Sequence, residues 1–224
     1  MLSVVIPTLN SQNTLPHLLE QLSGKVDDIV ISDGGSTDDT LSIAIKSGAR
    51  LAMGCKGRGW QLARGAKWAS LNADDEHWLL FLHADCVLSE NWLTSIDAHI
   101  KKYPERAGYF KLKLSDTGWR PRLMERIVGL RCRFWQLPYG DQGLLISRSH
   151  YQDIGGFPNW DLFEDVKIIE ALRGHLRPLK ADIYTDAGKY KQDGYWRRSV
   201  KNFKLYRAYK AGASQENLVK SYYP

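Results

Sequence analysis

No stretch of the 224 residues carries the roughly 18–20 consecutive apolar side chains of a membrane span. The opening Met1-Leu2-Ser3-Val4 has no charged segment of the kind that begins a secretory signal. Cysteine is scarce. Cys55, Cys86 and Cys132 stand singly, without a C-x-x-C pair or a neighbouring histidine cluster, which argues against a disulfide framework or a zinc site. They read as small core residues in a reducing cytoplasm. Internal repeats and low-complexity segments are missing too, and neither GxxxxGK[ST] nor GxGxxG occurs in full. What is present suffices for one sizeable core: 43% of the residues are hydrophobic, so a single domain with a C-terminal appendage is expected. The formal charge of +6 suits an anionic partner, whether nucleotide phosphate, nucleic acid or lipid head group.

The chain is organised around Trp78-Leu79-Leu80-Phe81-Leu82-His83-Ala84-Asp85. A short apolar run without alternation fits a strand buried on both faces. Its polar end places His83 and Asp85 where ligands bind in open α/β sheets, beyond the carboxyl ends of the strands. A helix cap is the plainer use of such an aspartate.

Earlier in the chain, Ser3 to Ile6 reads as a strand closed by Pro7. A helix bearing Leu15, Leu18, Leu19 and Leu22 on one face follows, capped by Asn10 or Ser11. Ile29-Val30-Ile31 is a second strand and runs into Ser32-Asp33-Gly34-Gly35-Ser36-Thr37-Asp38, where the glycines permit a tight turn and close approach of a ligand. Asp33 is otherwise ordinary turn chemistry. A third strand over 49–53 leads to Gly54-Cys55-Lys56-Gly57-Arg58-Gly59, a candidate phosphate cradle before a helix with the small inner residues Ala66 and Ala69. Strand–helix repetition predicts an α/β fold with a doubly wound, mostly parallel sheet. After Pro104 the pattern changes. Tyr109 to Leu114 alternates like an antiparallel or edge strand, Trp119 to Trp135 is basic and aromatic, and Leu144-Leu145-Ile146 is a further strand. Glu164-Asp165 opens a helix whose apolar positions are Val166, Ile168, Ile169 and Leu172. The set Asp141, Gln142 and Trp135 offers carboxylate, amide and aromatic face, which suits a sugar or other acceptor as well as it suits core packing.

Four ordered blocks resemble family 2 glycosyltransferases of the GT-A fold: Val4-Val5-Ile6-Pro7-Thr8-Leu9-Asn10, Ser32 to Asp38, Leu82-His83-Ala84-Asp85, and Gly155-Gly156-Phe157 with Glu164-Asp165. The compact subgroup found beside radical-SAM and selenodomain genes is nearest, on the strings GRG, LHAD and YGDQG. The resemblance implies one GT-A domain over 1–193, with a Rossmann-like nucleotide-sugar half at 1–103 and an acceptor half at 104–193, followed by a helical tail at 194–224. It implies that Pro7, Thr8 and Asn10 border the base and ribose of a UDP-sugar, and that Asp33 hydrogen-bonds the base beside Gly35. Asp85 takes the last acid of the family's Asp-x-Asp motif and holds Mn²⁺ or Mg²⁺ on the diphosphate. His83 stands where the first acid lies, and its imidazole favours Mn²⁺. The family's Arg-Asn pair falls on Leu62-Ala63, so Lys56 or Arg58 must meet the diphosphate charge. Asp165, with Glu164 beside it, takes the place of the base of inverting members.

The chemistry asks for the same residue types. A departing diphosphate gathers negative charge that a metal can stabilise, and an acceptor hydroxyl needs a base. A nucleotidyltransferase is a second reading, although Pro7-Thr8-Leu9-Asn10 is not the glycine-rich, basic loop such enzymes carry there. A non-catalytic nucleotide-sugar or polyanion-binding protein is a third. No nucleic-acid partner is expected. In the tail, Trp196, Val200 and Phe203 share one helical side opposite Arg197, Arg198, Lys201 and Lys204. Such a helix either docks on the domain or lies on an anionic membrane, which would place a cytoplasmic enzyme near a lipid-linked acceptor.

Overall fold

The computed structural model describes residues 1–70, 76–185 and 195–222, with side chains described from Val200 onward in the last segment. Strands β1 (Leu2–Thr8), β2 (Asp28–Asp33), β3 (Arg50–Met53) and β4 (Trp78–Phe81) pair in parallel, joined by α1 (Leu15–Leu22), α2 (Thr40–Lys46) and α3 (Arg58–Ala69). Their cores are the continuous apolar runs read from the sequence: Val4, Val5, Ile6, Val30, Leu79 and Leu80 are fully buried. β1 extends through Pro7 to Thr8, in register with Asp33 on β2. The helix α1 begins later than its proposed caps, at Leu15 behind Thr14, with a proline in its first turn, where a missing N–H is harmless. Small residues on α3 let it lie close against the sheet, and a Cβ on Gly65 would sit 2.4 Å from a methyl of Val5.

The second half completes the same sheet. After β5 (Val87–Leu88) and α4 (Trp92–Lys102) come β6 (Ala107–Leu114), α5 (Trp119–Trp135), a 3₁₀ turn at Gly140–Gln142, β7 (Leu144–Ser147), α6 (Arg148–Asp153), α7 (Glu164–Ala171) and β8 (Leu176–Thr185). The sheet order is β3-β2-β1-β4-β7-β6-β8-β5. β4 therefore stands at the junction, parallel to β1 on one side and antiparallel to β7 on the other. Helices α8 (Tyr195–Lys210) and α9 (Gln215–Tyr222) close the chain.

The alternating segment ending at Leu114 is antiparallel to β7, one of the two readings its pattern left open, but it is an interior strand and not an edge. β8 lies parallel on its other side, and only Lys111 and Lys113 of β6 escape burial. The basic segment 119–135 is a single helix, with Met124, Val128 and Cys132 packed inward. β8 was invisible because its inward residues Leu176, Leu179, Ala181 and Ile183 break strict alternation where a register shift opens opposite Tyr109 and Lys111. Cys86 and Cys132 are buried as expected, whereas Cys55 is exposed.

Candidate active site

The carboxyl ends of β1 and β4, the start of α3, the segment before α7, and the last two helices enclose a cleft of about 900 Å³. That volume lies within the range of small-molecule sites. Pro7, Thr8, Asn10, Lys56, Arg58, His83, Asp85, Glu164 and Asp165 all line it. Residues separated by more than a hundred positions are thereby brought to one cavity.

Asp33 does not line the cleft; it is fully buried and builds the wall behind it. One carboxylate oxygen accepts the Gly35 and Ser36 amides at 2.7 Å each. The other accepts the hydroxyls of Thr8 at 3.0 Å and Ser36 at 2.5 Å. Burial alone would raise its pKa, but these hydrogen bonds, led by those from Ser36, outweigh burial and hold it below the ordinary value. With four donors its acceptor capacity is full, so the base contact expected of Asp33 is not available to the carboxylate in this arrangement. Gly35, at φ +97°, supplies the turn and likewise lies outside the lining. Asn10 is committed in the same way: its side-chain oxygen accepts the Thr37 amide at 2.9 Å, and its backbone takes φ +51°.

Two residues missed in the sequence lock this wall. Gln61 is buried and donates to the carbonyls of Thr8, at 2.7 Å, and Ser32, at 3.0 Å, which ties the ends of β1 and β2. Arg64 donates to the carbonyls of Asp33 and Ala52 at 2.7 and 3.0 Å, tying β2 to β3. Their only sequence signal is a spacing that puts them on α3 a turn or so beyond the glycines.

Those glycines serve packing more directly than phosphate binding. A Cβ on Gly59 would lie 2.2 Å from the Pro158 carbonyl oxygen and 2.5 Å from that of Trp160, and the Gly59 amide donates to Trp160 at 2.8 Å. Gly57, at φ +139°, abuts Asp161. The start of α3 is thus pressed against the segment preceding α7, and Arg58 between them meets Glu164, Nε to Oε1, at 2.9 Å.

The charges at this junction are uneven. Burial opposes the Arg58 charge, but Glu164, Asp165, Asp141 and Asp85 together raise its pKa. Glu164 is itself buried; burial and the adjacent Asp165 push its carboxyl up to about 7, with Arg58 offsetting only part of that. Asp165 does not act as a helix cap. One of its oxygens accepts the Val166 amide and the other reaches across to accept the Gly140 amide, both at 2.7 Å. Phe163 precedes the pair at φ +62°, a conformation uncommon for a bulky residue, and swings the two acids towards the cleft.

At the far end of β4, His83 Nδ1 lies 3.7 Å from Asp85 Oδ1, with the imidazole mostly buried and the carboxylate half exposed. Among the described residues no three His, Cys, Asp or Glu side chains gather as a metal site. One imidazole and one carboxylate fit a divalent cation only if a ligand's oxygens and water complete the shell.

The three expected acceptor residues are not brought together. Gln142 is a core strut that donates to the Phe110 carbonyl at 3.0 Å and accepts from the Tyr139 amide and Cys132. Trp135 is 65% exposed on α5, outside the cleft. Asp141 lies inside the turn, with one carboxylate oxygen buried and without a hydrogen-bond partner. Burial and Asp165 raise its pKa against the pull of Arg131 and Arg58. Tyr139 lines the cleft instead, its ring covered by the Arg131 guanidinium at 3.6 Å.

The tail docks, on a different face from the one expected. Leu205 is buried, Tyr209 stacks on Phe163 at 5.1 Å, and its hydroxyl donates to Glu170 at 3.1 Å. Asn202, Leu205, Val219 and Tyr222 line the cleft. Val200 and Phe203, the expected docking residues, are 51% and 61% exposed, and the side chains of Trp196, Arg197 and Arg198 fall outside the described residues.

The architecture and this site define a class. The chain belongs to glycosyl transferase family 2, whose model matches residues 3–154. Among curated relatives, glucosyl-3-phosphoglycerate synthase of Mycobacterium tuberculosis is 34% identical over 94 residues, covering 38% of this chain and 29% of that protein. A PGL/p-HBAD biosynthesis glycosyltransferase of Mycobacterium bovis is 33% identical over 138 residues, covering 54% of this chain and 50% of the relative. This chain thus spans no more than about half the length of either. Two solved structures share the fold. S. aureus TarS in complex with UDP superposes with a TM-score of 0.62 at 22% identity, over 83% of this chain and 60% of that one. The M. tuberculosis synthase with Mn²⁺, UDP and glucosyl-3-phosphoglycerate gives 0.58 at 19% identity, over 83% and 70%. The mixed α/β sheet expected for a GT-A protein is the one observed.

Proposed function

We propose that this chain transfers a sugar from a nucleotide-diphospho-sugar, specifically a UDP-sugar, to an acceptor hydroxyl, with inversion and with Asp165 as the base. The observation that carries this reading is the single cleft in which Asp165, Arg58, His83 and Asp85 converge from three separate parts of the chain. Family membership supports the reaction class; the UDP seen with both structural relatives supports the donor, and the Mn²⁺ seen with the M. tuberculosis synthase supports the metal. The blocks GRG, LHAD and YGDQG support a place in the compact radical-SAM-associated subgroup.

In this reading the donor diphosphate lies over the Lys56–Arg58 segment. Arg58 meets the charge that grows on the leaving group, and Glu164 holds Arg58 in place. His83 and Asp85 would hold Mn²⁺ or Mg²⁺, which supplies Lewis-acid stabilisation to the diphosphate when bound. Asp165, kept in orientation by the Gly140 amide, takes the proton from the acceptor hydroxyl as the new bond forms. Asp33 acts on the base side indirectly, by holding the turn from Thr8 to Ser36. The first 103 residues form the donor half and residues 104–193 the acceptor half, joined where β4 pairs with β7.

Titration with UDP in the presence and absence of Mn²⁺, followed by a donor-hydrolysis assay, tests the reading. Metal-dependent UDP binding and slow donor hydrolysis are expected, and Asp85→Ala should abolish the metal-dependent part of binding without unfolding the protein. Undiminished Mn²⁺-dependent UDP binding by Asp85→Ala would sink the metal assignment.

A further inference from the structure

Helix α5 is apolar on two opposite sides. Pro121, Met124, Val128 and Cys132 recur every three or four residues and pack on the domain. On the other side of a helix with 3.6 residues per turn, Ile127, Leu130 and Phe134 form a second stripe, 41%, 52% and 69% exposed. Trp119 and Trp135, each 65% exposed, mark its two ends. A surface helix normally turns charged residues outward here, and a contiguous outward apolar stripe marks an interaction surface.

The flanks of the stripe say what covers it. Arg122, Arg126 and Arg133 run along one flank and Arg120 along the other, all exposed. The helix's single acid, Glu125, is turned away and held by Arg122 and Lys113. α8 packs beside α5 and leaves Phe203 and Lys204 exposed as well. A second copy of the chain fits this surface poorly, because a two-fold contact would set one arginine flank against another. Apolar side chains in a stripe, arginines on both edges and tryptophans at the ends match a helix lying in a lipid head-group layer, with stem carbons buried and charges at phosphate level.

We propose that the outer face of α5, extended by α8, is a docking surface for an anionic lipid bilayer. The bilayer takes the apolar stripe into its acyl boundary, and its phosphates neutralise the arginine edges. Because the cleft is formed partly by α8 and α9, docking would hold it close to the membrane surface.

Vesicle flotation of the full chain decides the matter, using phosphatidylcholine vesicles with and without phosphatidylglycerol, at low and physiological salt. It needs neither donor nor acceptor, so its failure leaves the glycosyl-transfer reading untouched. The parent should float with phosphatidylglycerol vesicles and remain behind with phosphatidylcholine alone. Arg126→Ala and Arg133→Ala should each lower partitioning about fivefold. Leu130→Ser with Phe134→Ser should lower it by roughly tenfold or more while leaving the thermal midpoint unchanged, since both residues are exposed. Absence of flotation at low salt, or flotation of the double serine variant equal to the parent, overturns the proposal. So does a parent dimer that the double serine variant dissolves, because a second copy would then be what covers the stripe.

Discussion

Two buried carboxylate sites, Asp33 behind the cleft wall and Glu164 in the cleft lining, live in opposite circumstances. Asp33 has a donor for every lone pair and is held below its ordinary pKa. Glu164 sits beside a second acid with one half-buried arginine between them, and it is pushed up. A carboxylate whose hydrogen bonds are complete has its work inside the protein: it fixes a turn. Carboxylates whose charge is left under-compensated tend to be those kept for a ligand or a reaction. The contrast assigns structure to the Asp33 side of the cleft and chemistry to the Glu164–Asp165 side.

Asp165→Asn breaks the chemical side most severely. Asparagine keeps one side-chain oxygen, enough for the Gly140 amide, and gives up only the local bond from the Val166 amide, so the fold should survive while proton acceptance is lost. Turnover should fall by roughly 10²–10⁴-fold, the range for a removed general base, with UDP affinity nearly unchanged. Stopped transfer assays beside calorimetric titration give both quantities. Transfer at the parent rate would move the base elsewhere.

Asp33→Ala tests the other side, and its effect should appear as folding. Removing the acceptor leaves the Thr8 hydroxyl and the Gly35 and Ser36 amides to find new partners, at a cost of about 1–3 kcal/mol. Denaturant unfolding should show that loss, and UDP affinity should weaken with the loosened turn. If stability holds and only UDP affinity falls, Asp33 contacts the base directly and the structural assignment fails.

The same contrast explains what could be read from the sequence. The parallel half was legible because buried strands write themselves as continuous apolar runs, Val4 to Ile6 and Trp78 to Leu82, separated by periodic helices. The cleft residues Asp85, Arg58 and Asp165 were legible as polar residues at the ends of such elements. The connections between them were not. Gln61 and Arg64 bond to backbone carbonyls far away in the chain, and no local pattern announces that. Gln142 read as an acceptor-binding amide beside an aspartate, yet Phe110 and Cys132 reach it only through the packing of β6 and α5. On α8 the mistake was one of phase: the inward side runs through Leu205 and Tyr209, so Val200 and Phe203 face out. An amphipathic pattern with apolar residues on two sides does not say which of them the domain will use.

The smallest expected effect sharpens the comparison through pH. Because the Glu164 pKa in the folded protein lies above its ordinary 4.5, the folded state binds this proton more tightly than the unfolded chain. By linkage, the destabilisation is absent below about 4.5, grows as pH rises, and is complete above about 7. Asp33 has the opposite sign: its contribution is present above the ordinary 3.8 and is lost as pH falls below it. Glu164→Gln carries no charge at any pH, so the variant should gain on the parent between pH 5 and pH 8. The gain should be on the order of a few degrees in Tm for a chain of this size. Parallel melts of parent and variant at the two pH values check this. A difference in Tm that stays constant with pH would mean that Arg58 fully compensates Glu164, and the two carboxylate sites would then be electrostatically alike.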